Sequence, residues 1–154
     1  MTTEGPAQTS AAPSTPANKA CPVLLRRTSE LEVLAFHHPL AGLQLVKGTL
    51  EAGESTAAGA VRELAEEAGV LAEESRFLGL WHSGFAGQVW AFHECRVPAP
   101  LPASWTHFTA DDGGHDFEFF WHPLASPPSA QWHPLFQAAL GFLHERLLGA
   151  GRHA

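Results

Sequence analysis

The sequence predicts an α/β domain built on a mixed sheet, and three observations carry that expectation. Short apolar runs bounded by turn residues recur along the chain, one central segment switches to helical spacing, and the last segment is amphipathic at the helical period. With 154 residues, 45% of them hydrophobic, there is material for one core.

Residues 1–18 read as a disordered tail: they are rich in Thr, Ser, Ala and Pro, with neither the basic start nor the apolar centre of a secretory signal. The folded domain is expected over 19–150. Ala20–Arg26 and Leu31–Phe36 read as strands joined by the turn Arg27–Glu30, and Leu43–Val46 as a third, shorter one. From Ser55 to Ala68 the apolar positions Ala57, Val61, Leu64 and Ala68 recur at helical spacing, with Ser55 as N-cap and Gly69 as stop. Gly59 inside that helix costs about 1 kcal/mol against Ala. Either it is tolerated or another part of the chain passes close by, and the sequence leaves both open. Phe77–Trp81 and Gln88–Cys95 read as strands around a turn at Gly84–Gly87, and Phe117–Trp121 as another. Pro98, Pro100 and Pro102, followed by Thr109–His115, read as one long connection. A closing helix over Pro134–Leu148 carries Leu135, Ala138, Ala139, Phe142, Leu143 and Leu147 on one side. Trp81, Trp90, Phe92 and Trp121 are assigned to the core.

Composition excludes several classes. Nine Lys plus Arg against sixteen Asp plus Glu give a net charge of −7, which argues against a binder of nucleic-acid polymers. No apolar run is long enough to span a bilayer, so no membrane is expected as a partner. Cys21 and Cys95 are too few for a disulfide framework and read as packing thiols in a reducing cytoplasm. The ten histidines show no zinc-binding spacing. Gly53–Ala57 falls one residue short of a nucleophile elbow, and its Ser55 already serves as a helix cap. A small anionic substrate stays open, provided a divalent cation offsets the charge.

One constellation carries chemistry. On a helical wheel Glu63, Glu66 and Glu67 share an arc away from the apolar stripe. Like charges three and four residues apart destabilise a helix, and a bound cation reverses that sign. Mg²⁺ and Mn²⁺ prefer such hard oxygen ligands. An acidic helix alone usually just faces water, but its surroundings are specific. Gly48, five residues, Glu54, seven residues, and then Arg62-Glu-Leu-Ala-Glu-Glu-Ala-Gly-Val70 match every fixed position of the Nudix box. The chance of this pattern arising in a chain of this length is on the order of one in ten million.

The chain therefore resembles a Nudix hydrolase, over about Lys19 to Leu148. The resemblance implies an α/β/α sandwich with a mixed sheet. It also implies hydrolysis of a nucleoside diphosphate linked to another group, with Mg²⁺ or Mn²⁺ required. By position, Glu63, Glu66 and Glu67 match the metal-ligand carboxylates, Gly48 a loop glycine whose backbone oxygen can join them, and Glu54 a residue that supports or extends the site. Arg62 matches the position that pairs with a box glutamate. The general base is expected to be a box glutamate, Glu66 or Glu67, with Asp111, Asp112, Asp116 and Glu118 as alternatives. Lys47, Phe85, Trp105, Phe108 and Glu118 are the candidates for contact with substrate, Lys47 as a charge for a phosphate and the aromatics as stacking surfaces. Marks of particular subfamilies are mostly absent, which leaves the substrate open; a nucleoside triphosphate, intact or oxidised, is the leading expectation for the small-molecule partner. A dinucleoside polyphosphate or nucleotide sugar is the alternative substrate, and a non-catalytic nucleotide sensor the alternative role. Oligomeric state stays open, with a homodimer among the states allowed.

Overall fold

The computed structural model describes residues 16–110 and 113–149. Most of the expected tail lies outside the described residues. Asn18 does not: its Nδ2 donates to Gly87 O at 3.0 Å and its Oδ1 accepts from Val89 N at 3.0 Å.

The strands are β1 (Lys19–Arg27), β2 (Leu31–His38), β3 (Gly42–Gln44), β4 (Gly48–Thr49), β5 (Glu73–His82), β6 (Val89–Arg96), β7 (Trp105–Thr109) and β8 (His115–Pro123). The helices are α1 (Thr56–Ala68) and α2 (Pro134–His144), the latter running into a π-helical turn, Glu145–Gly149. The sheet runs β5-β6-β1-β2-β8-β7, with β3 on β2 and β4 on β1. It is mixed because β1 and β6 pair in parallel while every other named pairing is antiparallel.

Alternation in the central strands builds two cores. Ala20 and Leu24 of β1 and Leu34 and Phe36 of β2 pack toward Ala60, Leu64 and Ala68 of α1. Their neighbours Cys21, Val23, Val33 and Ala35 pack toward Phe136, Ala139, Leu140 and Leu143 of α2. The sheet is thus covered by a helix on each face, the expected α/β/α arrangement. Among the described residues no helix is long and apolar enough to cross a membrane.

Five elements differ from the sequence reading. Strand β4 is additional, and β5 starts at Glu73 rather than Phe77. The Leu43–Val46 segment is strand only to Gln44; Leu45 and Val46 are buried but leave the ladder. The Pro-rich connection contains β7, whose Trp105 to Thr109 pair with Phe119 to His115. The closing α-helix stops at His144 rather than Leu148, with the π-turn carrying Leu147 and Leu148 onto the same core.

Candidate active site around the α1 carboxylates

Local signals set both ends of α1. Ser55 Oγ accepts from Ala58 N at 3.1 Å, which satisfies one of the free donors of the first turn. Gly69, in the left-handed region at φ 71°, closes the other end, its N–H bonding Ala65 O at 3.1 Å while Val70 N reaches Leu64 O at 3.4 Å. The first turn is also tied to the sheet: Thr56 Oγ1 lies 2.7 Å from His93 Nε2, and His93 Nδ1 lies 2.9 Å from Glu74 Oε2. His93 is buried and links α1, β6 and β5. The hint in the sequence was its place in the apolar run Val89–Cys95. Gly59 is a site of close approach, because a Cβ there would lie 2.5 Å from Leu50 and 3.3 Å from Ala20.

Arg62 is the hub of the site. Its Nε and Nη2 grip Glu54 Oε2 and Oε1 at 2.7 and 2.8 Å, a bidentate pair that spans the loop-to-helix junction. Nη1 reaches Glu63 Oε2 at 2.9 Å and Glu66 Oε1 at 3.2 Å, and Nη2 also donates to Thr49 O at 3.1 Å. All five guanidinium N–H groups are therefore used. Glu51 adds a fourth carboxylate, 3.6 Å from Nε. The Arg62 hydrogen bonds, with a further one from the Glu51 backbone, hold the Glu54 carboxyl down at about 2. The same pairs push the Arg62 guanidinium well above its ordinary value, Glu54 contributing most.

Glu63 is only 5% exposed, and its carboxylate lies directly against Gly48 Cα, in the space a Cβ would fill. Glycine at 48 is required by that approach. Glu66, whose side chain is 48% exposed, lies at the solvent side of Arg62. Lys47, directly before Gly48, turns its Nζ over Trp90 (5.3 Å) and Phe136 (5.7 Å), on the α2 side of the sheet. Burial lowers its pKa, and Lys19 adds to that; Cys21, Glu67 and Glu63 act in the opposite sense.

Gly48, Glu54, Arg62, Glu63 and Glu66 thus form one cluster, with Glu67 and Lys47 in its electrostatic reach. Trp105 stands apart at the C-terminal end of α1, stacked on Phe119 at 5.2 Å with its Nε1 donating to Ala68 O at 3.0 Å. Phe85 (50% exposed) is in the β5–β6 turn and Phe108 (60% exposed) on the edge strand β7. Glu118 is exposed on β8, 4.0 Å from His37 Nδ1. Asp116 also lies on β8, its Cα paired with that of Phe108. Asp111 and Asp112 lie outside the described residues.

Do these residues suit a divalent cation? The donors are hard carboxylate oxygens, four of them gathered on one guanidinium, so negative charge is in excess. The bare Gly48 lets the Glu63 carboxylate take the space that a Cβ would fill, which holds one donor beside the loop backbone. The donor set fits. As they stand, no three His, Cys, Asp or Glu side chains among the described residues are arranged around a common metal position. Glu63 and Glu66 face Arg62 instead.

A family model described as the NUDIX domain matches residues 16–140. No curated protein matches the sequence. Solved structures share the fold. An ADP-ribose pyrophosphatase from Streptococcus suis is similar at a TM-score of 0.58 and 17% identity, over 84% of this chain and 92% of that one. A UDP-X diphosphatase is similar at 0.64 and 12%, over 96% and 73%. A Nudix hydrolase from Nitrosomonas europaea is similar at 0.60 and 18%, over 86% and 73%.

Proposed function

The chain belongs to the NUDIX family, whose reaction class is hydrolysis of phosphorus-containing anhydrides, and from that premise we propose that it is a Mg²⁺-dependent pyrophosphohydrolase cleaving a nucleoside diphosphate linked to another group. A nucleoside triphosphate, intact or oxidised, is the proposed substrate, and Mn²⁺ is the alternative cation. The observation that carries this reading is the Arg62 hub, which fixes Glu54 just before α1 and Glu63 in its middle, with the Glu63 carboxylate against Gly48.

Glu63, Glu66 and Glu67 would hold the cation, with the Gly48 backbone oxygen and Glu54 in support. When bound, a divalent cation supplies Lewis-acid polarisation and charge neutralisation for a polyphosphate, which a protein of net charge −7 otherwise repels. The chain's own contribution is orientation. Arg62 locks Glu54 with a planar two-point grip that Lys could not reproduce. Glu63, nearly buried, is held in one position. Glu66, half exposed, can swing from Arg62 toward substrate and solvent, and with Glu67 is the proposed source of the general base. The two buried, unpaired thiols suit a reducing compartment, the cytoplasm.

The test is a nucleotide panel with Mg²⁺ or Mn²⁺, analysed for the phosphate products, with Glu67→Gln and an EDTA-treated sample alongside. Turnover should fall by orders of magnitude in the variant and vanish in EDTA, because the amide keeps volume while removing ligand charge. Wild-type rates in Glu67→Gln would remove the site assignment. Tight, metal-dependent binding without cleavage of any panel member would replace hydrolysis with nucleotide sensing.

A further inference from the structure

Far from Gly48 along β1, a cavity of about 350 Å³ opens at the end of the β1–β6 ladder. Leu24, Val97, Leu101 and Trp121 form its apolar wall, all belonging to or packed on the α1-side core. Its rim carries Arg26, Arg27 and Arg96, three of the nine basic residues in this acidic chain. Arg26 lies six residues beyond Ala20, the partner of Gly48. At about 3.3 Å per residue, the two sites are roughly 20 Å apart.

The three guanidiniums differ in their commitments. Arg26 donates to Glu32 at 2.7 Å and sits 4.8 Å over the Trp121 ring, whose Nε1 donates to Pro102 O at 3.0 Å. That stack is a fixed wall. Glu94, the one carboxylate in the lining, is taken by Arg76 at 2.7 Å. Arg27 and Arg96 are exposed, and among the described residues neither has a carboxylate partner; Glu73, opposite Arg96 across β5 and β6, makes no ion pair with it.

We propose that this cavity binds a mononucleotide, with its phosphate held by Arg27 and Arg96 and its base against the apolar wall beside the Arg26–Trp121 stack. Guanidinium forks match phosphate oxygens, and two of them left without carboxylates in an acidic protein supply the charge for such an anion. The apolar wall distinguishes the site from one for a bare inorganic ion. The volume is at the small end of ligand pockets, which run to about 1,000 Å³, and admits one ring system and one phosphate rather than a dinucleotide. The site needs neither cation nor α1 carboxylates and stands independently of the hydrolysis proposed above.

The test is isothermal titration of the full chain with AMP, adenosine and inorganic phosphate, at low salt and in EDTA. Saturable one-to-one binding of AMP is expected, weakened at least tenfold by Arg27→Gln/Arg96→Gln and unchanged by Glu67→Gln. Both arginines are exposed, so the double variant is expected to fold. Adenosine and phosphate should each bind at least tenfold more weakly than AMP. Absence of saturable AMP binding, or binding that survives the double variant, overturns the site. Phosphate binding as tightly as AMP overturns the mononucleotide assignment.

Discussion

Adding one methyl group at residue 48 tests the centre of the proposed site. The Cβ of Gly48→Ala would land on the Glu63 carboxylate, which is nearly buried and bonded to Arg62 Nη1 at 2.9 Å. The Gly48 backbone is not in the left-handed region, so alanine is conformationally acceptable there and only the collision matters. Forced insertion of a methyl into a packed site costs about 1–3 kcal/mol. For a domain of this size, about 2 kcal/mol corresponds to a fall of roughly 4–8 °C in Tm. The displaced carboxylate must move by more than an ångström, a shift of the kind that lowers turnover about 100-fold. Gly53→Ala is the matched control: it is strained at φ 75°, with nothing within 4 Å of its Cβ. It should cost about 1–2 kcal/mol through the backbone and leave turnover intact. Calorimetry and steady-state kinetics on the two variants separate collision from strain. Wild-type Tm and kcat/KM in Gly48→Ala would refute the tight Gly48–Glu63 approach.

Two further outcomes follow from the titrating groups. Glu54 is held at about 2, below its ordinary value, so its stabilising contribution is full above the ordinary value and drains away as pH falls toward about 2. In metal-free protein the urea midpoint should therefore drop more steeply between about pH 5 and pH 2 in wild type than in Glu54→Gln; parallel curves would remove the Glu54–Arg62 pair as a source of acid lability. Burial pushes the Cys21 thiol far above its ordinary value and Cys95 up to about 11. Neither should react with a thiol-specific chromogenic disulfide at about pH 8 until urea unfolds the chain, and rapid labelling of the folded protein would contradict their burial.

The box and its helix were legible because their signals are local. Ser55, the apolar stripe and Gly69 each act within a turn or two, and the carboxylate arc follows from helical geometry alone. The bidentate grip of Arg62 on Glu54 was less so, since Glu54 precedes the helix and no wheel relates the two. Strand β7 was hidden by the prolines before it and by a pattern that places exposed Phe108 between His107 and Thr109. Only its pairing with β8 makes it a strand. Trp105, a candidate for contact with substrate, lines a surface pocket with Glu118 and also seals the end of α1, a role set by a contact 37 residues away. The Thr56–His93–Glu74 chain joins three elements and left no periodic trace. The basic rim is equally non-local, because Arg27 and Arg96 come from strands that meet only when the sheet is assembled.

The lone parallel ladder has a kinetic consequence. Hairpins β1–β2, β5–β6 and β7–β8 are closed by short connections and can form early from neighbouring residues. Lys19, by contrast, must find Trp90, and Val33 must find His122, across separations of about 70 and 90 residues, each bearing a loop-closure entropy that local pairs escape. The middle of the sheet is therefore the last part to close, and the helix carrying the carboxylates lies inside both of those loops. A nascent chain cannot set Thr56 against His93 until β6 has been made and docked beside β1. Assembly of the candidate site and completion of the sheet should be one event, with no partly folded species that already presents an ordered carboxylate cluster.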